Sequence, residues 1–285
     1  MFKSILVPYV NQLTETNVLE SALAIAADVS ADSSSQKNAA HLAILIGIEI
    51  PVMLPDVWSS SASGLLICDD AHARAKVVSE RLAQRTKNCA VVPEIRVLHA
   101  LGDSASQMAA LHARYADICV VPTASGADSG LAHHYFSALL MHSGRPVLAV
   151  PEHCAATASP KHVVIAWQPT RETTRAVHDA MPFLHAAETV DVLIIDPEVD
   201  DTAHGENPGA DIATHLARHG LRVNVVSVPS AGRSVATSIN EYLSQSGANL
   251  LVAGGYGHNR LQEFLLGGVT RALLQTAAVP VLFSH

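Results

Sequence analysis

The stretch Leu250-Leu251-Val252-Ala253-Gly254-Gly255-Tyr256-Gly257, resumed at Gly267-Gly268-Val269-Thr270, decides how the rest of the chain is read. Its apolar opening has the length of a buried strand, and the residues after the second pair of glycines have helical spacing. Five of the 16 glycines lie between Gly254 and Gly268. A strand that runs through glycines into a helix start brings backbone N–H groups and the positive end of a helix dipole to one place, which suits a phosphate. Gly254 and Gly257 lack Cβ and tolerate positive φ, so the chain can turn there and lie against a flat or charged ligand.

The surrounding composition fits such a unit. The chain has 285 residues, 49% of them apolar and only 4% aromatic, so its core is mostly Ala, Val, Leu and Ile, the filling of helices packed on a parallel sheet. A formal charge of −8 gives no long-range attraction for nucleic acid or an anionic membrane surface. Cys68, Cys89, Cys119 and Cys154 have neither disulfide-framework nor zinc spacing, and are expected to be reduced and mostly buried. The N-terminal run meets Pro8 and Asn11 too early for a signal-peptide core, and no apolar run approaches the ~20 residues of a membrane span. Cytoplasm is the expected compartment.

Working outward, strands alternate with helices throughout, which implies βαβ units and a mainly parallel sheet. The pattern predicts strands at 4–10, 41–50, 91–97, 118–121 and 147–150, with helices at 16–29, 70–87, 104–115 and 134–142. The same order returns with strands at 161–167, 189–195, 221–228, 249–253 and 281–283, and helices at 171–187, 210–219, 235–246 and 268–276. Ala116-Asp117-Ile118 corresponds to Ala248-Asn249-Leu250, and Arg145-Pro146-Val147-Leu148 to Val279-Pro280-Val281-Leu282. A linker rich in Ala, Ser and Pro lies between, so the chain reads as two α/β domains of one fold, 1–151 and 160–285. Each is expected to be a five-stranded parallel sheet sandwiched by helices, Rossmann-like.

Gly254-x-x-Gly257-x9-Gly267 at the end of a fourth strand, continued by Leu265-Leu266-Gly267-Gly268-Val269-Thr270 and closed by Pro280-Val281-Leu282, resembles the nucleotide loop of the universal stress protein family. The two-half layout resembles the family's tandem members. The resemblance implies an adenine nucleotide alpha-hydrolase-like fold, a stress-response role, and ATP or a related adenine nucleotide, with or without magnesium, in the C-terminal domain. It implies contacts from Ala253, Gly254, Gly257, His258, Gly267, Gly268, Val269 and Thr270, with Trp167 and Gln168 after the first strand and Ile194 against the base. Relatives dimerise through the last strand. The Pro146 and Pro280 strands are therefore expected to pair within the chain as a pseudo-dimer, at an edge position suited to proline, and a further homodimer is open.

Two positions depart from the family. Gly268 stands where Ser or Thr is usual, which removes a hydroxyl hydrogen bond worth about 0.5–1.5 kcal/mol. Gln168 stands where nucleotide-binding relatives carry Asp. In the first half no glycine survives: an offset of 132 places Pro122, Ser125 and Tyr135 at the three loop positions, and an offset of 134 places Val120, Thr123 and His133 there. That domain is expected to be a structural partner.

Three classes stay open: a nucleotide-binding signalling module, a ligand-free assembly protein, and a slow ATP hydrolase. The hydrolase has no general base other than His258. Ser125-Gly126-Ala127-Asp128 follows a fourth strand, not the first as in pyrophosphatase loops, and Asp200, Asp201 and Glu206 lack cation-loop spacing. His258 and Arg260 lie within the glycine window.

Overall fold

A computed structural model of the chain describes residues 1–10, 12–31, 40–50, 62–101, 104–124, 129–154, 158–197, 207–256 and 268–285. The first half contains β1 (Ser4–Tyr9), α1 (Asn17–Ala31), β2 (His41–Ile50), α2 (Ala62–Thr86), β3 (Glu94–Leu101), α3 (Ala105–Ala113), β4 (Ile118–Pro122), α4 (Ser129–His142) and β5 (Val147–Val150). The second contains β6 (His162–Ala166), α5 (Arg171–Ala186), β7 (Thr189–Ile195), α6 (Ala210–Arg218), β8 (Val223–Val228), α7 (Val235–Ser246), β9 (Leu250–Gly254), α8 (Gly268–Thr276) and β10 (Val281–Ser284). The α/β alternation of the sequence is therefore realised in both halves. Helix α2 begins earlier than the serines and Gly64 suggested. Strand β3 begins after Pro93, which has no N–H to give a ladder.

All ten strands form one sheet in the order β3-β2-β1-β4-β5-β10-β9-β6-β7-β8. Every pairing is parallel except that of β5 with β10, where Val147, Leu148 and Ala149 face Phe283, Leu282 and Val281. These strands are completely buried, and Phe136 of α4 meets Phe283 edge-on at 5.2 Å. The expected pairing of the Pro146 and Pro280 strands is present, but at the centre of the sheet and not at an edge. Each proline immediately precedes its strand, and its carbonyl accepts from the neighbouring strand, Pro146 from Cys119 N and Pro280 from Leu251 N.

The sheet is covered on both faces. Alternate strand residues pack with α1, α2, α5 and α6 on one side and with α3, α4, α7 and α8 on the other. Of the described thiols only Cys119 is buried; Cys89 and Cys154 are half-exposed, against the expectation of burial. No described helix is long and apolar enough to cross a membrane.

At the starting end of β6–β8, Asp191 is a buried carboxylate inside the sheet. Burial alone would raise its pKa, but hydrogen bonds from Asn224, Tyr242 and His162 outweigh this and hold it below the ordinary carboxylate range. Asn224 Nδ2 and Tyr242 Oη donate at 2.9 and 2.7 Å, and His162 Nε2 lies 2.6 Å away. A depressed folded pKa contributes stability that is complete above the unfolded value, about 4, and is lost as pH falls through the folded one. Asp191→Asn is expected to lower the urea midpoint at pH 7 and to shrink the difference between the midpoints at pH 6 and pH 3; an unchanged difference would show that Asp191 carries no such linkage.

Candidate functional site

In each half the chain leaves its first strand toward one side of the sheet and later returns on the other, so the switch point lies between β1 and β4 and between β6 and β9. Ligands of open α/β sheets sit beyond the carboxyl ends of the strands at that point. In the second half these ends carry Ala166-Trp167-Gln168, Ile195-Asp196, Val228 and Ala253-Gly254.

Strand parity sorts these residues. Ala166, Ile195, Val228 and Ala253 face the side of α7 and α8, where the helix after the glycines begins. Ala166, Ile195 and Val228 are only half-buried there, and Ile195 lies beside Val228 in the ladder. Trp167 and Ile194 belong to the opposite face. Ile194 is 1% exposed, and a Cβ at Gly209, the residue before α6, would lie 2.8 Å from its Cδ1. Ile194 is thus core under α6. Ile195, which sequence reasoning missed, is the strand residue on the α8 side, and the parity of Ala253 relative to Val252 was the available signal.

Gln168 is exposed, and its carbonyl accepts from Thr170 N at 2.8 Å in the turn that leads to α5. Thr170 caps that helix by accepting from Thr173 N. Asp196, also missed, sits at φ +49 beyond β7 and accepts from Ser230 N at 2.8 Å, joining the loops after β7 and β8. Side-chain and backbone hydrogen bonds from Ser230 hold its pKa below the usual carboxylate range.

Gly254 does not adopt positive φ. Its missing Cβ serves a close approach instead: a carbon there would lie 2.7 Å from Thr173 N and 2.9 Å from Glu172 C in the first turn of α5. Among the described residues of this stretch, the one with positive φ is Tyr256, at +63. At the start of α8, Gly268 is exposed, with no described residue within 4 Å of where a Cβ would stand, and Val269 is 40% exposed. Thr270 is buried, and its Oγ1 accepts from Tyr256 N at 3.4 Å, a contact to the strand end. Gly257, His258, Arg260 and Gly267 lie outside the described residues, as do Ser125–Asp128 of the first half and Asp200, Asp201 and Glu206.

The two halves can be superimposed through their hydrogen bonds. Thr123 N donates to Val150 O as Gly255 N donates to Ser284 O, so β4 and β9 follow the offset of 132 and the last helix and strand the offset of 134. Both registers hold, each in its own segment. Tyr135 therefore corresponds to Val269, and the pairing of β1 with β2 and β4 and of β6 with β7 and β9 aligns Gly47 with Ile195. Tyr135 is 4% exposed, and its Oη would lie 2.9 Å from a Cβ on Gly47. The crevice of the first half is filled by a phenol; that of the second keeps half-exposed apolar groups beside an exposed helix start.

Residues 161–285 match the model of the Universal stress protein family. The C-terminal half is a universal stress protein domain. A universal stress protein from Archaeoglobus fulgidus DSM 4304 has a similar structure, with a TM-score of 0.70 and 14% identity over 99% of this chain and 95% of its own. A universal stress protein from Pseudomonas aeruginosa UCBPP-PA14 has a TM-score of 0.52 at 14% identity, over 99% of this chain and 93% of that one. At such identity the likeness is one of fold. No curated protein matches the chain.

The close approach at Gly254 is testable by itself. Because two of the three atoms a new carbon would meet are backbone, Gly254→Ala is expected to destabilise by about 1–3 kcal/mol in urea unfolding; a neutral substitution would mean that α5 is free to shift.

Proposed function

We propose that the chain is a tandem universal stress protein of the cytoplasm, its domains 1–151 and 160–285 paired as an intramolecular pseudo-dimer, that binds one adenine nucleotide, ATP foremost, in the C-terminal domain. The observation that supports a single site is the contrast between the crevices: Tyr135 fills one, whereas Ala166, Ile195 and Val228 stay half-exposed in the other.

In this reading the purine lies on Ile195 and Val228, taking the place first given to Ile194. Gln168 hydrogen-bonds the ribose. The phosphates meet the amides of Gly267, Gly268 and Val269 at the start of α8, with Gly257 and His258 completing the loop and magnesium as counter-ion of the phosphates. Trp167, Ala253 and Gly254 hold the strand ends, and Thr270 ties the start of α8 to them. Occupancy then alters shape or partner affinity, which is the signalling role. Gly268 and Gln168 favour a second reading, a ligand-free assembly protein, because Gly268 lacks the hydroxyl and Gln168 the carboxylate usual in nucleotide-binding relatives.

Denaturing the purified protein and analysing the supernatant by mass spectrometry is expected to release an adenine nucleotide. ATP at ~100-fold over its Kd is expected to add about 2.7 kcal/mol of stability in a thermal-shift titration. Gly257→Val is expected to abolish that shift; an equal shift in the variant sinks the phosphate-loop assignment. Among the described residues, none would meet a side chain at Gly268. Gly268→Ser is therefore expected to tighten ATP binding by up to roughly tenfold, read as Kd by calorimetry.

A further inference from the structure

Tyr256, the last residue before Gly257, makes a contact that the nucleotide reading leaves unused. Its phenol donates to Ser137 Oγ on α4 of the other half at 3.1 Å. Its ring stands edge-on to His285, with centroids 5.9 Å apart, and His285 Nδ1 lies 3.1 Å from Gly255 O. Its own N–H faces Thr270 Oγ1 in the first turn of α8. One residue earlier, a Cβ at Gly255 would lie 2.7 Å from Leu140 Cδ2, so the backbone here presses directly on α4.

The backbone of Tyr256 is left-handed, a conformation that costs a residue with Cβ roughly 1–2 kcal/mol and persists only where the surroundings fix it. The corresponding residue of the first half is Ala124, whose N–H donates to Leu274 O of α8 at 3.1 Å. The crossing from one half to the other is therefore present twice, but only the half with the glycine loop carries a side chain in it.

The geometry points to Tyr256 as a positioning residue that, through Ser137, ties the departure of the glycine loop to α4 of the N-terminal half and so couples nucleotide occupancy to the contact between halves. This rests on the nucleotide reading above. Coupling of this kind is reciprocal: whatever the tyrosine contributes to the loop is measured as affinity, and a bound nucleotide strengthens the contact with Ser137 in return. The filled N-terminal half then has a task, to be the body against which occupancy is sensed.

The test is calorimetric titration of the full chain with ATP for the wild type, Tyr256→Phe, Ser137→Ala and the double variant. Each single change is expected to weaken binding about 2- to 10-fold, the range of one neutral hydrogen bond. The double change is expected to weaken it no further, since both remove the same bond, and Ser137→Thr is expected to recover the affinity. Tyr256→Phe keeps its ring on His285, so its melting temperature without ATP serves as the folding control. Wild-type affinity in both single variants, or losses that add in the double, overturn the coupling while leaving the nucleotide site standing. A wild type that does not bind ATP overturns both.

Discussion

The antiparallel pairing of β5 with β10 is the constraint on which the rest of the molecule depends. Three residues on each strand are in register, all buried, and they turn two five-stranded sheets into one of ten. The pairing fixes the halves so that each one's last helix lies against the other's strand ends. Leu140 of α4 lies under Gly255, Arg175 of α5 donates to Gly144 O beyond α4, and Ala124 donates to Leu274 O of α8. The end of β4 and the end of β9 are thus each packed by the other half.

Within that frame the difference between the halves comes from few positions. Where the second half has Ile195 and Val269, the first has Gly47 and Tyr135, a small residue facing a large one. The exchange does not conserve filling: Tyr135 is buried against Gly47, whereas Val269 is 40% exposed and Ile195 half-buried. Around the first strand's end the halves have also diverged in polarity. Tyr9 donates to Glu15 and Arg81 pairs with the same carboxylate, whereas the equivalent stretch of the second half is the exposed turn of Gln168 and Thr170. The burial of Tyr9 and its bond to Glu15 push its pKa up to about 12, so it stays a neutral donor.

The fold was largely legible because its signals are local. Alternating strand and helix periods placed β2, β5, β7, α7 and α8 at the residues where the structure has them, and the Pro-Val-Leu endings marked the strands that meet. The site was legible in outline only. Ile194 and Ile195 are equally apolar, and nothing within β7 tells which one faces α8; parity is decided by pairing with a strand distant in sequence. Gly254 looked like a turn glycine, but the atoms that exclude its Cβ belong to α5, some eighty residues earlier. Tyr256 gave no local signal, because its partner Ser137 lies 119 residues away.

The β5–β10 junction also bears on inheritance. In a symmetric dimer of a single domain, one codon specifies the same position in both subunits, so a bulky side chain in the crevice would close both sites together. Because here the two partners of the junction are encoded one after the other in a single chain, Tyr135 can close one crevice without touching the other. The covalent link thus releases one half from the requirement to keep a crevice open while holding it in permanent contact with the half that retains one.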